Sequence, residues 1–419
     1  MSKFRIEGNT PLQGEITVAG NKNAALPIIA ATVLTDELCH IDNLPDILDV
    51  QTMLTILRDL GKQVKIVGEN AIEISGSINK NSIDEPLARR LRASILYLGG
   101  LLNRTGAVQI APPGGCVIGR RNIDSHFDVF RSFGAAVTIS EKKYQLQLGK
   151  TQPVKLFLKE SSVTATENAL IFAAALPETS IIENAASEPH VADLCLVLKK
   201  MGAGIDGEGT NKLIVKGQKK LSGFRHTVVA DHIEAGTFAI AAACTGGEIT
   251  IHQAIKDHLI MCEYYLNMIG VQLHFPDQHT LQVNTSKLIS KGLKYQTGLW
   301  PAFPTDLMSP MIVLATQAEG TTLCHDWMYE SRMFFVDKLI VMGAQITQCD
   351  PHRVLVSGPT KLRGQELSSP DIRAGIALVI AALTANGTSI IDRAELIDRG
   401  YENITTRLQN LGATIERLP

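Results

Sequence analysis

These 419 residues contain no low-complexity tract, no excess of either charge, no paired-cysteine motif and no long apolar run, and each absence removes a class of function. A net charge of -2 gives no general attraction for nucleic acid or an anionic membrane. Any anion must therefore be held by Lys and Arg gathered locally. The seven cysteines, at 39, 116, 195, 244, 262, 324 and 349, form no Cys-x-x-Cys pair and are odd in number. That argues against a disulfide framework or a zinc cage and for a reducing compartment. The longest apolar run, Ala374 to Ala385, falls well short of the roughly 20 residues that span a membrane. The opening MSKFRIEGNT has no apolar signal core. A soluble, cytoplasmic protein with a small-molecule partner is the expectation.

The chain is too long for one ordinary core, and two domains of roughly 200 residues are expected. A recurring pattern supports this: LGKQV, FGAAV, MGAGI, IGVQL, MGAQI and LGATI, with glycines at 61, 134, 202, 270, 343 and 412. Their spacings of 73, 68, 68, 73 and 69 divide the chain into six units. Each glycine suits a helix C-terminus, where a left-handed backbone costs it little, and the alternating residues after it suit a half-buried strand. Before the first of them, Val50, Met53, Leu54 and Leu57 keep the spacing of one apolar helix face. Earlier in each unit lies a segment apolar on all sides, such as NALIFAAAL or AGIALVIAAL, predicted as a buried helix. Between the two helices come strands such as GAVQI, ETSII, GEITI, GTTLC and GTSII. Six such units cannot share one core, so three per domain is the economical division. Residues 1 to 21 and the stretch near 226 to 231 are the candidate crossovers.

Unusual polar residues occupy two places in this repeat. Lys22 and Asn23, Arg92, Asp231 and Glu234, Asp306, and Asp371 with Arg373 fall at the entrance to the buried helices. Cys116 with Arg120 and Arg121, Arg332 and Arg399 fall in loops entering the amphipathic helices. Helix entrances favour anions, and guanidinium forks orient a carboxylate or phosphate. A small polyanion fits the six cations Lys22, Arg92, Arg121, Arg332, Arg373 and Arg399. Asn23, Asp231, Asp306 and Asp371 are also good helix caps, which is their structural alternative. Six cysteines lie in apolar segments and are expected as small buried hydrophobes. Cys116, among Gly114, Gly115 and Gly119 and beside two arginines, is instead placed for thiolate chemistry.

The segments GNKNAALP (20 to 27), LRAS (91 to 94), PGGCVIGRR (113 to 121), PAFPTD (301 to 306), ESR (330 to 332), DIRA (371 to 374) and IDRGYE (397 to 402) resemble those of the enolpyruvyl transferases. The resemblance implies an α/β fold of two domains, each an inside-out α/β barrel of three repeated units. Residues 22–229 would form the domain with the Cys116 loop, and 1–21 with 230–419 the domain carrying Asp306, Arg332, Arg373 and Arg399, with the active site in the cleft between. It further implies transfer of enolpyruvyl from phosphoenolpyruvate to the 3-hydroxyl of UDP-N-acetylglucosamine, the first committed step of peptidoglycan synthesis, without metal or organic cofactor.

By the same resemblance Asp306 is the base, Cys116 the thiol of acid catalysis or product release and the fosfomycin target, and Lys22 catalytic. Lys22, Arg92, Arg121, Arg332, Arg373 and Arg399 surround phosphoenolpyruvate. The sugar nucleotide meets Asn23, Arg92, Arg121, Asn122, Ile123, Asp124, Ser125, Ser162, Val163, Thr164, Asp306 and Met328. The family's Arg-Pro-Val-Asp is here Arg121-Asn122-Ile123-Asp124, and its Ser-Val-Gly-Ala-Thr is Ser162-Val163-Thr164-Ala165-Thr166. Leu48 and Glu160 stand where basic residues are usual. These departures concern nucleotide binding, and they leave a different nucleotide or sugar nucleotide open as the acceptor. Arg120 has no assigned role, and a monomer and a weak homo-oligomer are both compatible with the sequence.

Overall fold

The structure, a computed structural model, describes residues 2–114 and 122–419, apart from the side chain of Lys291. Two compact units account for these residues: 20–114 with 122–229, and 2–19 with 230–419. Each has its own apolar core.

In the unit that begins at Gly20, the helices Lys22–Ala31 and Val163–Ala174 are almost wholly enclosed, and Tyr97–Thr105 is buried from Tyr97 to Leu102. A one-sided apolar stripe would leave the far face in water, whereas Lys22–Ala31 and Val163–Ala174 are apolar on nearly every side and must be surrounded. Three sheets surround them. Their strand orders are Arg225–Thr227, Cys39–Asp42, Ala71–Ser75, Gln63–Gly68; then Ala107–Ile110, Tyr144–Leu148, Ala135–Ile139; then Gly204–Asp206, Lys212–Lys216, Thr179–Glu183, Lys155–Phe157. The last strand of the unit, Arg225–Thr227, pairs in parallel with Cys39–Asp42 in its first sheet.

The second unit repeats the plan around helices His232–Thr245, Met308–Gln317 and Ile372–Thr384, with three four-stranded sheets. The N-terminal residues complete two of these sheets. Lys3–Glu7 lies antiparallel between Thr388–Asp392 and Thr414–Leu418, and Gln13–Thr17 runs parallel to Glu248–His252. Strands Thr179–Glu183, Glu248–His252 and Thr388–Asp392 share one alternation, with positions two and four buried. A period of two puts those side chains on one face. Ile249 and Ile251 thereby sit opposite Val283 and Leu281 on the core side.

All six repeat glycines adopt positive φ, between 89° and 112°, where a side chain would be strained. A close approach matters at Gly20, where an added Cβ would lie 1.8 Å from the carbonyl oxygen of Asn43. That contact sets the chain just before Asn21, whose side chain accepts from the amide of Ala24 at 3.1 Å and caps the helix carrying Lys22. No helix among the described residues is long and apolar enough to cross a membrane.

Candidate active site

In the unit formed by 2–19 and 230–419, Asp306 lies in a short 3-10 turn, Thr305–Leu307, ahead of the buried helix Met308–Gln317. It caps nothing. Its Oδ1 accepts from Arg332 Nη2 at 3.1 Å and its Oδ2 from Arg373 Nε at 3.0 Å. The two guanidinium side chains are 2% and 7% exposed and the carboxylate 26%. Cations this enclosed are costly without an anion.

Arg373 is held at its far end too. Nη1 donates to the Tyr401 hydroxyl at 3.0 Å, and that oxygen lies 3.0 Å from Thr237 Oγ1. Thr237 already donates to the Ile233 carbonyl at 2.7 Å, so Tyr401 donates to Thr237. Burial works against the Arg373 charge, but Tyr401, Asp306 and Asp231 outweigh it and raise its pKa above the usual value. Asp371 caps the same helix through the amides of Arg373 and Ala374, at 2.8 and 3.0 Å. Asp231 caps the helix His232–Thr245 through Ile233 and Glu234, and burial raises its pKa.

Arg332 Nε has no hydrogen-bond acceptor among the described residues, although Asp326 Oδ2 is 4.0 Å away. Asp326, fully buried, takes the Thr305 hydroxyl on one oxygen and the Met328 amide on the other, the latter at 2.9 Å. Thr305, Asp306, Met328 and Arg332 are thus tied into one network. Arg399 is half-buried in the turn before helix Ile404–Asn410.

In the other unit, Lys22 is buried at the start of its helix and pairs with Asp49 at 2.7 Å. Asn23, proposed as a possible cap, is inside the helix, because Asn21 takes that role. Arg92 Nη2 donates to the Asn122 carbonyl at 3.2 Å, and Asn122 Oδ1 accepts from the Asp124 amide at 2.9 Å. Ile123 and Ser125 are half-buried beside them. Ser162 caps the helix Val163–Ala174, and Thr164 Oγ1 lies 3.1 Å from His126 Nε2. Segments 122–126 and 162–164 are therefore adjacent. Leu48 is exposed at the start of the helix that carries Asp49. Cys116, Arg120 and Arg121 lie outside the described residues.

Of the other cysteines, 39, 195, 244, 262 and 324 are buried. Burial pushes the Cys39 thiol up to about 11 and those of Cys195 and Cys262 to about 12, so none is a ready thiolate. Cys349 corrects the expectation: it is exposed, because strand Gln345–Asp350 is the edge of its sheet and presents most of its residues to solvent.

Sequence reasoning missed Asp49, Asp326 and Glu167. Glu167 is completely buried in the helix Val163–Ala174, and its Oε1 has no hydrogen-bond partner. Burial first, then the charge of Glu188, raises its pKa well above the ordinary carboxyl value. It therefore folds as the acid. A raised carboxyl pKa contributes stability in full below the unfolded value of about 4.5, and that stability is lost at about 1.4 kcal/mol per pH unit until the folded pKa is reached. Glu167→Gln should melt progressively higher than the parent as pH rises from 5 to 8. Parallel melting curves across that range would remove the assignment.

The chain belongs to the EPSP synthase (3-phosphoshikimate 1-carboxyvinyltransferase) family, whose model matches residues 6–408. Within that family its relatives include two named UDP-N-acetylglucosamine 1-carboxyvinyltransferase. One, from Treponema denticola, is 45% identical over 424 residues, covering 99% of each chain. The other, from Borreliella burgdorferi, is 45% identical over 427 residues, covering 100% of this chain and 99% of its own. The fold is that of the enolpyruvyl transferase NikO from Streptomyces tendae, with a TM-score of 0.89 at 21% identity, covering 100% of this chain and 99% of that one. It is also that of EPSP synthase from Acinetobacter baumannii, with a TM-score of 0.76 at 18% identity and complete coverage of both chains.

Proposed function

We propose that this chain transfers the enolpyruvyl group of phosphoenolpyruvate to the 3-hydroxyl of UDP-N-acetylglucosamine and releases phosphate. The Asp306 carboxylate, bracketed by the buried Arg332 and Arg373, is the observation that carries this reading. In the addition, the acceptor oxygen bonds to C2 of phosphoenolpyruvate, Asp306 takes its proton, and the methylene carbon is protonated. Cys116, outside the described residues, is assigned that acid role. Elimination removes a proton from the new methyl group, breaks the bond from carbon to the phosphate oxygen and restores the double bond. Lys22 takes part in both steps. With Arg92, Arg121, Arg332, Arg373 and Arg399 it meets an anion of about three charges, and fixed donors stabilise developing charge without reorganising. The unoccupied Arg332 Nε supplies one such donor. Asn23, residues 121–125, Ser162, Val163, Thr164 and Met328 hold the sugar nucleotide. The reaction belongs in the cytoplasm, where peptidoglycan precursors are made.

A phosphate-release assay with both substrates tests the proposal. Release that requires the N-acetylglucosamine nucleotide supports it; no release at millimolar substrate, or clear preference for another nucleotide, removes it. Cys116→Asp retains a proton donor but no thiol, so it should keep turnover and escape inactivation by fosfomycin. Inactivation at the parent rate would show that the drug reacts elsewhere.

A further inference from the structure

His126 has no part in the chemistry above, yet it is 1% exposed and hydrogen-bonded at both ring nitrogens. Backbone groups determine the direction of those bonds. Asn168 Oδ1 accepts from the Gly99 amide at 3.1 Å, and its Nδ2 donates to the Ile95 carbonyl at 3.0 Å. The side-chain amide cannot be reversed without placing N–H against N–H and C=O against C=O. The other proton of Nδ2 points at His126 Nδ1, 2.9 Å away. That nitrogen must therefore carry a lone pair, and the neutral ring carries its proton on Nε2. Nε2 donates to Thr164 Oγ1 at 3.1 Å. The Thr164 oxygen is thereby an acceptor toward the protein, and no acceptor among the described residues takes its hydroxyl proton.

We infer that His126 and Asn168 are positioning residues that hold the Thr164 hydroxyl as a hydrogen-bond donor to a phosphate oxygen of the bound sugar nucleotide. With one lone pair taken up by His126 Nε2–H, this hydroxyl keeps its own proton to donate. A diphosphate offers only acceptors, so it can use that proton wherever the hydroxyl faces it. Burial and the nearby charge of Arg92 push the His126 pKa down to about 3, which keeps the ring neutral and the relay unchanged throughout the ordinary pH range. The family pattern has glycine at this position, so the donor arises from this chain's own departure. The inference rests on residues 162–164 lying in the nucleotide site.

Calorimetric binding of UDP and of uridine to the whole protein separates the two ideas. Thr164→Val should weaken UDP about tenfold, the size of a charge-assisted hydrogen bond, and leave uridine unchanged. Thr164→Ser should restore UDP binding. In turnover, Thr164→Val should raise KM for the sugar nucleotide while kcat and KM for phosphoenolpyruvate stay within about twofold. His126→Phe should weaken UDP in the parent and add little on top of Thr164→Val. Unchanged UDP affinity in Thr164→Val, equal weakening of uridine, or full additivity of the pair would each overturn the inference. Should His126→Phe fail to fold, nitrogen NMR of the parent reads the tautomer, and a proton on Nδ1 would be equally fatal. Parent protein that binds UDP but does not turn over UDP-N-acetylglucosamine would refute the proposed function and leave this inference standing.

Discussion

Asp306→Ala should reduce phosphate release by about 10³-fold, within the range expected for loss of a general base, with the protein still folded. The reason is geometric. The carboxylate meets Arg332 on one oxygen and Arg373 on the other, so its orientation is set before any substrate arrives. Alanine removes the base but leaves Tyr401 and Asp231 near Arg373 and Asp326 near Arg332, so neither cation is abandoned. The effect should fall on kcat, because the proton transfer is lost while both cations remain to bind phosphoenolpyruvate. Turnover within about tenfold of the parent would refute the base assignment. A melting temperature far below the parent's would mean that Asp306 acts mainly as a structural counter-ion.

Arg373→Met should be the most damaging single change to stability in its unit. Arg373 is buried at the start of the helix Ile372–Thr384 and joins Asp306 to Tyr401. Methionine fills part of the volume but takes the Arg373 charge away from Asp306, its ion-pair partner, and from the buried Asp231. Removing one partner of a buried ion pair costs about 3–5 kcal/mol. For a unit of this size that lowers the melting temperature by roughly 10 °C, and turnover should be lost as well. Arg373→Lys should recover part of the stability and little of the turnover, since a single ammonium cannot make both the Asp306 and Tyr401 bonds in the same plane. A melting curve for Arg373→Met within about 2 °C of the parent would contradict this account.

Much of the fold was legible because local rules were obeyed six times over. The glycine after each amphipathic helix needs positive φ, the strands alternate with a period of two, and segments apolar on every side can only be enclosed. Cys349 departs from the pattern for a simple reason. Whether a strand lies in the middle or at the edge of a sheet depends on pairing with distant residues, here Arg353–Gly358 on one side only.

The site was legible as residue types in repeated positions, and less so as partnerships. Asp306, Asp231 and Asp371 look alike beside their helices, and all three could cap them. Two do, and Asp306 does not, because Arg332 and Arg373 reach it from 26 and 67 residues away. Asp49 and Asp326 were invisible because nothing in their neighbours distinguishes a buried counter-ion from a surface acid. By itself the sequence determined the six units, the left-handed helix ends, the buried helices and the cationic entrances, all of which follow from spacing and side-chain chemistry along the chain. Only the tertiary structure decided which acids meet which cations, that the Tyr401 hydroxyl donates to Thr237, and that the Thr164 oxygen meets His126. Hydrogen-bond direction depends on groups brought together across the fold, and no local pattern encodes it.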